Sequence, residues 1–162
     1  MKPITNTLRE KIQLHIKNGA DISELIAGYD IKGEKLDHAV IKNFNRFNDD
    51  YSGASFVRAI LGEEGKVTNI SHSTATGCNF KYAKLLGTWD ARHWNAKNCN
   101  FCGASIPNMD YRYADLRGGL FCGCIFSLSN WAGEGAKFDK KVFEMIFKHW
   151  GIAMEPEGEA NA

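Results

Sequence analysis

The sequence predicts an all-β solenoid, and three observations lead to that prediction. Large apolar residues recur every five positions through the middle of the chain, and a small residue stands two places before most of them. Neither a helical period of 3.6 nor a sustained strand alternation fits the same stretch. Self-similarity at a fixed period is typical of repeat arrays, in which each unit packs on its neighbours.

The clearest run of the repeat begins at Phe101. Its large positions are Phe101, Ile106, Tyr111, Leu116, Phe121, Phe126 and Trp131. The residues two places earlier are Cys99, Ala104, Met109, Ala114, Gly119, Cys124 and Ser129. If each five-residue unit forms one side of a coil, both sets point inward and the other positions face water. Less regular runs precede it, at Ile70, Phe80 and Leu85 and at Ile31, Leu36, Ile41, Tyr51, Phe56 and Leu61.

This pattern resembles the pentapeptide-repeat family, whose motif is a small residue, Asp or Asn, Leu or Phe, and two variable residues. The best matches are Ala114-Asp115-Leu116-Arg117-Gly118, Cys78-Asn79-Phe80-Lys81-Tyr82 and Cys99-Asn100-Phe101-Cys102-Gly103. The resemblance implies a right-handed quadrilateral β-helix with about twenty residues in each coil. Residues one coil apart should then stack at about 4.8 Å, the spacing of neighbouring strands.

A coil of twenty residues predicts a core ladder of stacked side chains. With one extra residue allowed between Asn95 and Phe101, the ladder has three columns. They are Phe80, Phe101 and Phe121; Leu85, Ile106 and Phe126; and Tyr111 and Trp131.

Two segments interrupt the repeat. Residues 62–67 read Gly-Glu-Glu-Gly-Lys-Val and predict a loop. Residues 87–95 depart from the motif, and in register they place Asp90 and Asn95 in inward slots, which is unfavourable without polar partners. The pattern leaves open whether Trp89 and Trp94 point inward or outward.

The repeats span residues 26–138, between an N-terminal capping helix within 1–25 and a C-terminal region of residues 139–162. Leu8, Ile12 and Ile16 predict a helix over 5–17, with Thr5 or Asn6 as its cap. An apolar face predicts a second helix over 139–150, followed by a disordered acidic tail. Terminal elements of a solenoid cover its open ends, so this face is a candidate for capping or for self-association as a homodimer. Its large residues are Phe143, Phe147 and Trp150.

Charge and hydropathy limit the classes of partner. Lys and Arg number 20 and Asp and Glu 19, for a formal net charge of +1. This balance gives no electrostatic footprint for nucleic acid or for an acidic membrane. The longest charge-free stretch, residues 118–133, is shorter than the roughly 20 residues of a membrane helix. Because the N-terminus also lacks the apolar core of a signal peptide, we expect a cytoplasmic protein.

The five cysteines suggest a metal site, but the repeat frame argues against it. Cys99-x-x-Cys102 and Cys122-x-Cys124 have spacings found among zinc ligands. In the frame, Cys99 and Cys124 point inward while Cys102 and Cys122 do not, so the four sulfurs cannot converge on one ion. Cys102 and Cys122 should stack as neighbours, close enough for a disulfide. In a reducing cytosol we expect free thiols instead, and no metal or cofactor.

No catalytic pattern stands out, since the sequence has neither a His-Glu-x-x-His helix nor a Gly-x-Ser-x-Gly turn. We therefore expect a non-catalytic module that binds or scaffolds another protein. The candidate patch comprises Trp89, Arg92, His93 and Trp94, because tryptophan and arginine are enriched in interface hot spots. The alternative for the two tryptophans is burial where the repeat is distorted.

A second candidate function follows from the resemblance. The quinolone-resistance branch of the family consists of DNA mimics that bind DNA gyrase, and such a mimic needs an acidic exterior. Residues 70–138 hold seven Lys or Arg against four Asp or Glu. This net basic stretch disfavours the hypothesis that the protein inhibits or protects gyrase as a mimic of DNA.

Overall fold

The computed structural model describes residues 1–126, 134–141 and 144, and it is a parallel β-solenoid with few helices. The helices are α1 (Asn6–Lys17) and α2 (Ser23–Ile26). The strands are β1 (Lys2–Pro3), β2 (Tyr29–Asp30), β3 (Val40–Ile41), β4 (Ile60–Asn69), β5 (Lys84–Asp90), β6 (Ser105–Ile106), β7 (Met109–Asp110) and β8 (Ile125–Phe126). Strands β3, β4, β5, β6 and β8 form one parallel sheet in that order, and β7 also pairs with β5.

Helix α1 is the helix that the sequence predicts over 5–17. Thr5 adopts an extended conformation, and its side-chain oxygen accepts a hydrogen bond from the Leu8 amide at 3.2 Å. This contact satisfies one of the free amides at the start of the helix. Ile12 is buried against the end of the solenoid, and β1 pairs in parallel with β2 beside it. The N-terminal segment thus covers the first coil.

Successive coils lie in register along the whole described solenoid. On one side, Lys35 pairs with Ser55, Ser55 with Asn79, Asn79 with Asn100, and Asn100 with Leu120. All of these bridges are parallel. The amides of Ser55, Asn79, Asn100 and Leu120 each donate to a carbonyl of the preceding coil, as a buried or half-buried backbone requires.

Aromatic rings stack along the axis of the solenoid. The rings of Phe80 and Phe101 are 5.0 Å apart and 4° from parallel, and those of Phe101 and Phe121 are 4.9 Å apart and 15° from parallel. Phe56 extends the same column below Phe80, with centroids 5.2 Å apart. The repeat thus stacks the rings of four successive coils directly on one another.

The other two predicted columns are described in part. The parallel pairing of Lys84 with Ser105 sets Leu85 beside Ile106, and the backbone of Ile106 pairs with that of Phe126. Tyr111 is buried and meets Phe138 edge-on at 6.3 Å. Trp131 lies outside the described residues.

The coil that begins at β5 has the extra residue that the sequence predicts, but at a different position. Lys84 pairs with Ser105, twenty-one residues on, whereas Trp89 pairs with Met109, twenty residues on. The additional residue therefore lies between Leu85 and Trp89, and not between Asn95 and Phe101. As a result Asp90 and Asn95 are half-buried outward positions, and the predicted placement of both in inward slots is wrong.

The inward slots of this coil hold large and small residues in exchanged order. Trp89 and Trp94 are each 1% exposed and take the slots that small residues fill elsewhere, while Ala91 and Ala96 take the large slots. Trp89 donates a hydrogen bond from Nε1 to the Leu86 carbonyl at 2.9 Å. Interiors tolerate exchanges that keep total volume, so a Trp–Ala pair replaces a small–large pair without opening a void.

The segment 62–67 forms a bulge inside β4. Gly62 pairs with Leu86 and Val67 with Thr88, so β4 has three more residues between these pairs than β5. Residues 63–67 are exposed. Gly87 lies against the base of the bulge, where an added Cβ would come within 2.4 Å of the Lys66 carbonyl oxygen. Only glycine fits there, because the backbones approach so closely and φ is +80°.

One inward slot near the N-terminal end holds a charged residue. Arg46 is 6% exposed, and its guanidinium donates to the Asp49 carboxylate at 3.1 Å. It also donates to the carbonyl oxygens of Ile26 and Tyr29, both at 3.1 Å. A buried guanidinium needs such partners, and Arg46 thereby ties the second coil to the first.

Candidate binding surfaces of the solenoid

The predicted patch at residues 89–94 divides between the interior and the surface. Trp89 and Trp94 lie in the core, so the prediction that they contact a partner is wrong. The ring of Trp94 meets those of Phe80 and Phe101 edge-on, at 6.2 and 6.0 Å. Arg92 and His93 are exposed and remain candidates for binding.

His93 belongs to a second aromatic stack, on the outside of the solenoid. Its ring lies 4.6 Å from that of His72 and 5.0 Å from that of Tyr113, with interplanar angles of 18° and 14°. Phe47 meets His72 edge-on at 6.0 Å. All four side chains are exposed, Phe47 by 60% and Tyr113 by 50%. We call Phe47, His72, His93 and Tyr113 the ring column.

Turn geometry places these rings above one another. His72, His93 and Tyr113 have φ values of 57°, 56° and 61°, at corresponding turns of three coils. The ring of Tyr113 continues the column onto Gly135, where an added Cβ would come within 2.5 Å of it. The three residues are twenty-one and twenty positions apart, so the coil length itself is the sequence signal that identifies this surface.

Arginine–aspartate pairs flank the ring column. Arg92 donates from Nε and Nη2 to Asp90 at 2.9 and 2.7 Å, and Arg112 pairs with Asp110 in the same way. The hydrogen bond from Arg92 is the main cause that lowers the pKa of Asp90, and Arg112 does the same for Asp110. The two arginines are thereby held in fixed positions beside the rings.

A third pair of this kind lies one turn further along the chain. Arg117 donates to Asp115 at 2.9 and 2.6 Å, and Lys97 lies 3.3 Å from the same carboxylate. The side-chain hydrogen bond from Arg117 is the main cause that keeps the pKa of Asp115 well below 3.8. The carboxylates of Asp90, Asp110 and Asp115 are therefore each neutralised by a neighbouring cation.

The interior holds nucleophilic groups, but burial keeps them protonated. Burial raises the pKa of Cys124 to about 11, and it also raises the pKa values of Cys99, Tyr51 and Tyr111. The thiols of Cys99 and Cys124 donate to backbone carbonyls. An activated thiol needs a lowered pKa and access to solvent, and neither cysteine has both.

The predicted neighbours Cys102 and Cys122 are joined by a disulfide, with Cα atoms 4.5 Å apart. The expectation of free thiols at this pair is wrong, because stacking of adjacent coils brings the two sulfurs within bonding distance. The free cysteines of the described chain are Cys78, Cys99 and Cys124, all buried. No group of three His, Cys, Asp or Glu side chains suitable for a metal ion occurs within residues 1–126, 134–141 and 144.

The predicted C-terminal face falls beyond what the structure describes. Lys140, Lys141 and Glu144 have helical backbone. Phe143, Phe147 and Trp150 lie outside the described residues. Among the helices that the structure does describe, none is long and apolar enough to cross a bilayer.

No protein-family model and no curated relative matches the sequence. Among solved structures, the chain is similar to a pentapeptide repeat protein of the Arabidopsis thaliana thylakoid lumen. The two are 14% identical over 82% of each chain, with a TM-score of 0.32.

Two further solved structures show likenesses at the same level. QnrB1, a plasmid-mediated fluoroquinolone resistance protein, is 13% identical over 77% of this chain and 92% of its own, with a TM-score of 0.24. HetL, a pentapeptide repeat protein involved in heterocyst differentiation regulation in the cyanobacterium Nostoc, is 15% identical over 64% of this chain and 61% of its own, with a TM-score of 0.28.

The chain's own geometry decides the fold. Inward residues recur every five positions, coils of about twenty residues pair in parallel, and one ring of each coil stacks on the ring of the next. The chain thus has the parallel β-solenoid fold that its resemblance to pentapeptide-repeat proteins predicts.

Proposed function

We propose that this chain is a non-catalytic scaffold that binds a partner protein through the ring column and the arginines beside it. The observation that carries the proposal is the external stack itself. His72, His93 and Tyr113 expose their rings on three successive coils although no packing in the core requires rings there. Contiguous exposed aromatic side chains are typical of interaction sites.

The residue types support a protein partner. Tyrosine and arginine are among the side chains most enriched in interface hot spots. Arg92 and Arg112 are held by their aspartates, and the imidazoles of His72 and His93 are stacked on each other. Few further side chains would therefore become ordered when a partner binds. Surfaces that are ordered in advance lose less conformational entropy on association.

The gyrase-directed alternative lacks a comparable observation. A mimic of DNA needs a continuous row of negative charge, and here Asp90, Asp110 and Asp115 each accept hydrogen bonds from an arginine two residues later. We therefore expect no effect of the purified protein on the supercoiling reaction of DNA gyrase.

The proposal is tested by partner capture with matched variants. Tyr113 is replaced by a photoreactive phenylalanine derivative, and cross-linked proteins are identified from the native host. The same residue at Leu14, which is 57% exposed on α1, serves as the control for non-specific capture. We expect a protein that cross-links at position 113 and not at position 14.

The identified partner is then purified and its affinity measured. A variant with His93→Ala and Tyr113→Ala should bind it at least tenfold more weakly, as the loss of two hot-spot residues predicts. A variant with Leu14→Ala and Leu120→Ala also loses exposed apolar surface and should bind normally. Equal affinity of the wild type and the ring-column variant would reject the ring column as the binding surface.

A further inference from the structure

A second surface lies about half a coil away from the ring column. Arg58, Ile60, Tyr82 and Lys84 line a groove of about 440 Å³. Around the Tyr82 ring, Arg58 Cζ lies 5.7 Å and Lys81 Nζ 5.2 Å from the ring centroid. The lining therefore combines two cations with an aromatic ring and an aliphatic side chain, and Lys81 adds a third cation beside the ring.

The cations of this groove differ from the arginines beside the ring column, because none of them has a carboxylate partner among the described residues. Within the described part of the chain, no carboxylate oxygen lies within 4.0 Å of the side-chain nitrogens of Arg58, Lys81 or Lys84. Asp37, on the coil below, accepts hydrogen bonds from the Ser55 hydroxyl and the Val57 amide. Positive charge is thus concentrated at one place on a chain whose formal net charge is only +1.

The ring in the groove is held by the coil above it. Tyr82 occupies a turn with φ of 59°, and its ring lies over Gly103 of the next coil. An added Cβ at Gly103 would come within 2.3 Å of the ring, so glycine there leaves room for Tyr82. Cation–π contacts from Arg58 and Lys81 stabilise the same position.

We propose that this groove binds an acidic peptide segment of a partner protein. Carboxylates of such a segment pair with Arg58, Lys81 and Lys84, and its apolar side chains pack on Ile60 and Tyr82. Nucleic acid is the less suitable occupant, since its affinity comes from many phosphate contacts along a basic track, and this groove offers three cations. The inference concerns a different face from the ring column and stands whether or not a partner binds there.

The test uses a short fluorescein-labelled peptide rich in glutamate and leucine, and a copy in which glutamine replaces every glutamate. Fluorescence anisotropy is measured with the full chain at low and at physiological ionic strength. We expect the acidic peptide to bind and the glutamine copy to bind at least tenfold more weakly. Added salt should weaken the binding, because exposed ion pairs are screened.

Charge-matched variants locate the binding. Arg58→Gln and Lys84→Gln should each reduce affinity about fivefold, the upper range for an exposed ion pair. Lys97→Gln removes the same charge from a lysine that is already paired with Asp115, so affinity should change less than twofold. Circular dichroism and thermal unfolding check that each variant folds as the wild type does.

Three results would overturn the proposal. One is a failure of the acidic peptide to bind. Another is an equal loss of affinity in Lys97→Gln and Lys84→Gln, which would show that binding depends on net charge and not on the groove. The third is tighter binding of a labelled single-stranded oligonucleotide that is weakened by the same two groove variants, which would assign the groove to nucleic acid.

Discussion

The ring of Phe80 is stacked on the ring of Phe101, with an interplanar angle of 4° and centroids 5.0 Å apart. Residues 80 and 101 are one coil apart, so this contact is a direct consequence of the repeat. Phe101 lies between two other rings of the column, so its loss removes one stacking partner from Phe80 and one from Phe121.

Phe101→Ala should destabilise the solenoid by about 3–5 kcal/mol, the usual cost of removing a buried phenylalanine. Its ring is stacked on both sides, by Phe80 and Phe121, and Trp94 meets it from the side. Equilibrium unfolding in urea measures the change. Leu14→Ala, at an exposed helical position, should change stability by no more than about 0.5 kcal/mol. A cost for Phe101→Ala as small as that of Leu14→Ala would contradict the buried column.

Gly103→Ala should cost more than Gly123→Ala, although the two glycines occupy equivalent turns. Both have positive φ, at 71° and 65°, so alanine pays about 1 kcal/mol of backbone strain at each. An added Cβ meets the Tyr82 ring at position 103 and nothing within 4 Å at position 123. The difference between the two costs should vanish in a Tyr82→Ala background. Its persistence there would show that the ring is not the obstacle.

Arg46→Met should destabilise the protein by about 3–5 kcal/mol, since it leaves a buried carboxylate without its partner. Asp49 and the carbonyls of Ile26 and Tyr29 all lose a donor. Arg9→Met removes an exposed arginine that pairs with Glu34, and its cost should stay below about 1 kcal/mol. Chemical unfolding of the two variants side by side checks the contrast. Similar costs would indicate that Arg46 is solvated and not buried.

Asp115→Asn should lower stability at neutral pH and lose this effect in acid. The pKa of Asp115 is depressed in the folded protein, so ionised Asp115 stabilises the fold above the unfolded pKa, near 3.8. That contribution is lost as pH falls from about 3.8 through the depressed folded pKa. Thermal unfolding of the variant and the wild type across this range should therefore converge toward low pH. Parallel curves, with a constant difference, would rule out the linkage.

Alkylation of the denatured, unreduced protein should label three cysteines, and labelling after reduction should reach all five. Mass spectrometry counts the labels. The disulfide closes a loop with a sequence separation of 20, so Cys102→Ser with Cys122→Ser should cost roughly 3 kcal/mol on the chain-entropy model. Five labels without prior reduction would mean that the two thiols are unlinked.

The sequence predicts much of the fold because the five-residue period is imposed by the core. Phe101, Phe121 and Ile106 are inward because their positions follow the period, and the structure places them there. The coil around Trp89 and Trp94 escapes the motif, since the motif places the small residue first and the large residue two positions later. A Trp–Ala pair meets the same volume requirement in the opposite order, and only the packed structure reveals it.

The surfaces are harder to predict than the core. His72, His93 and Tyr113 share no motif with one another, and their common feature is a separation equal to one coil. That separation is twenty-one residues in one case and twenty in the other, because the coils differ in length. Stacked residues on the exterior can therefore be found only when the register of each coil is known. That register depends on the position of the extra residue, which lies at Leu86 and Gly87.

Because of the bulge between Gly62 and Val67, one coil is longer than the next while its inner and outer columns stay aligned. Its surplus residues project outward, and pairing resumes in register at Thr68 and Asn69. Insertion of further sequence between Glu64 and Gly65 should consequently leave every inner and outer column in place. This position would accept a grafted epitope or a recognition loop, and it gives such proteins a route to acquire new surface chemistry without redesign of the core.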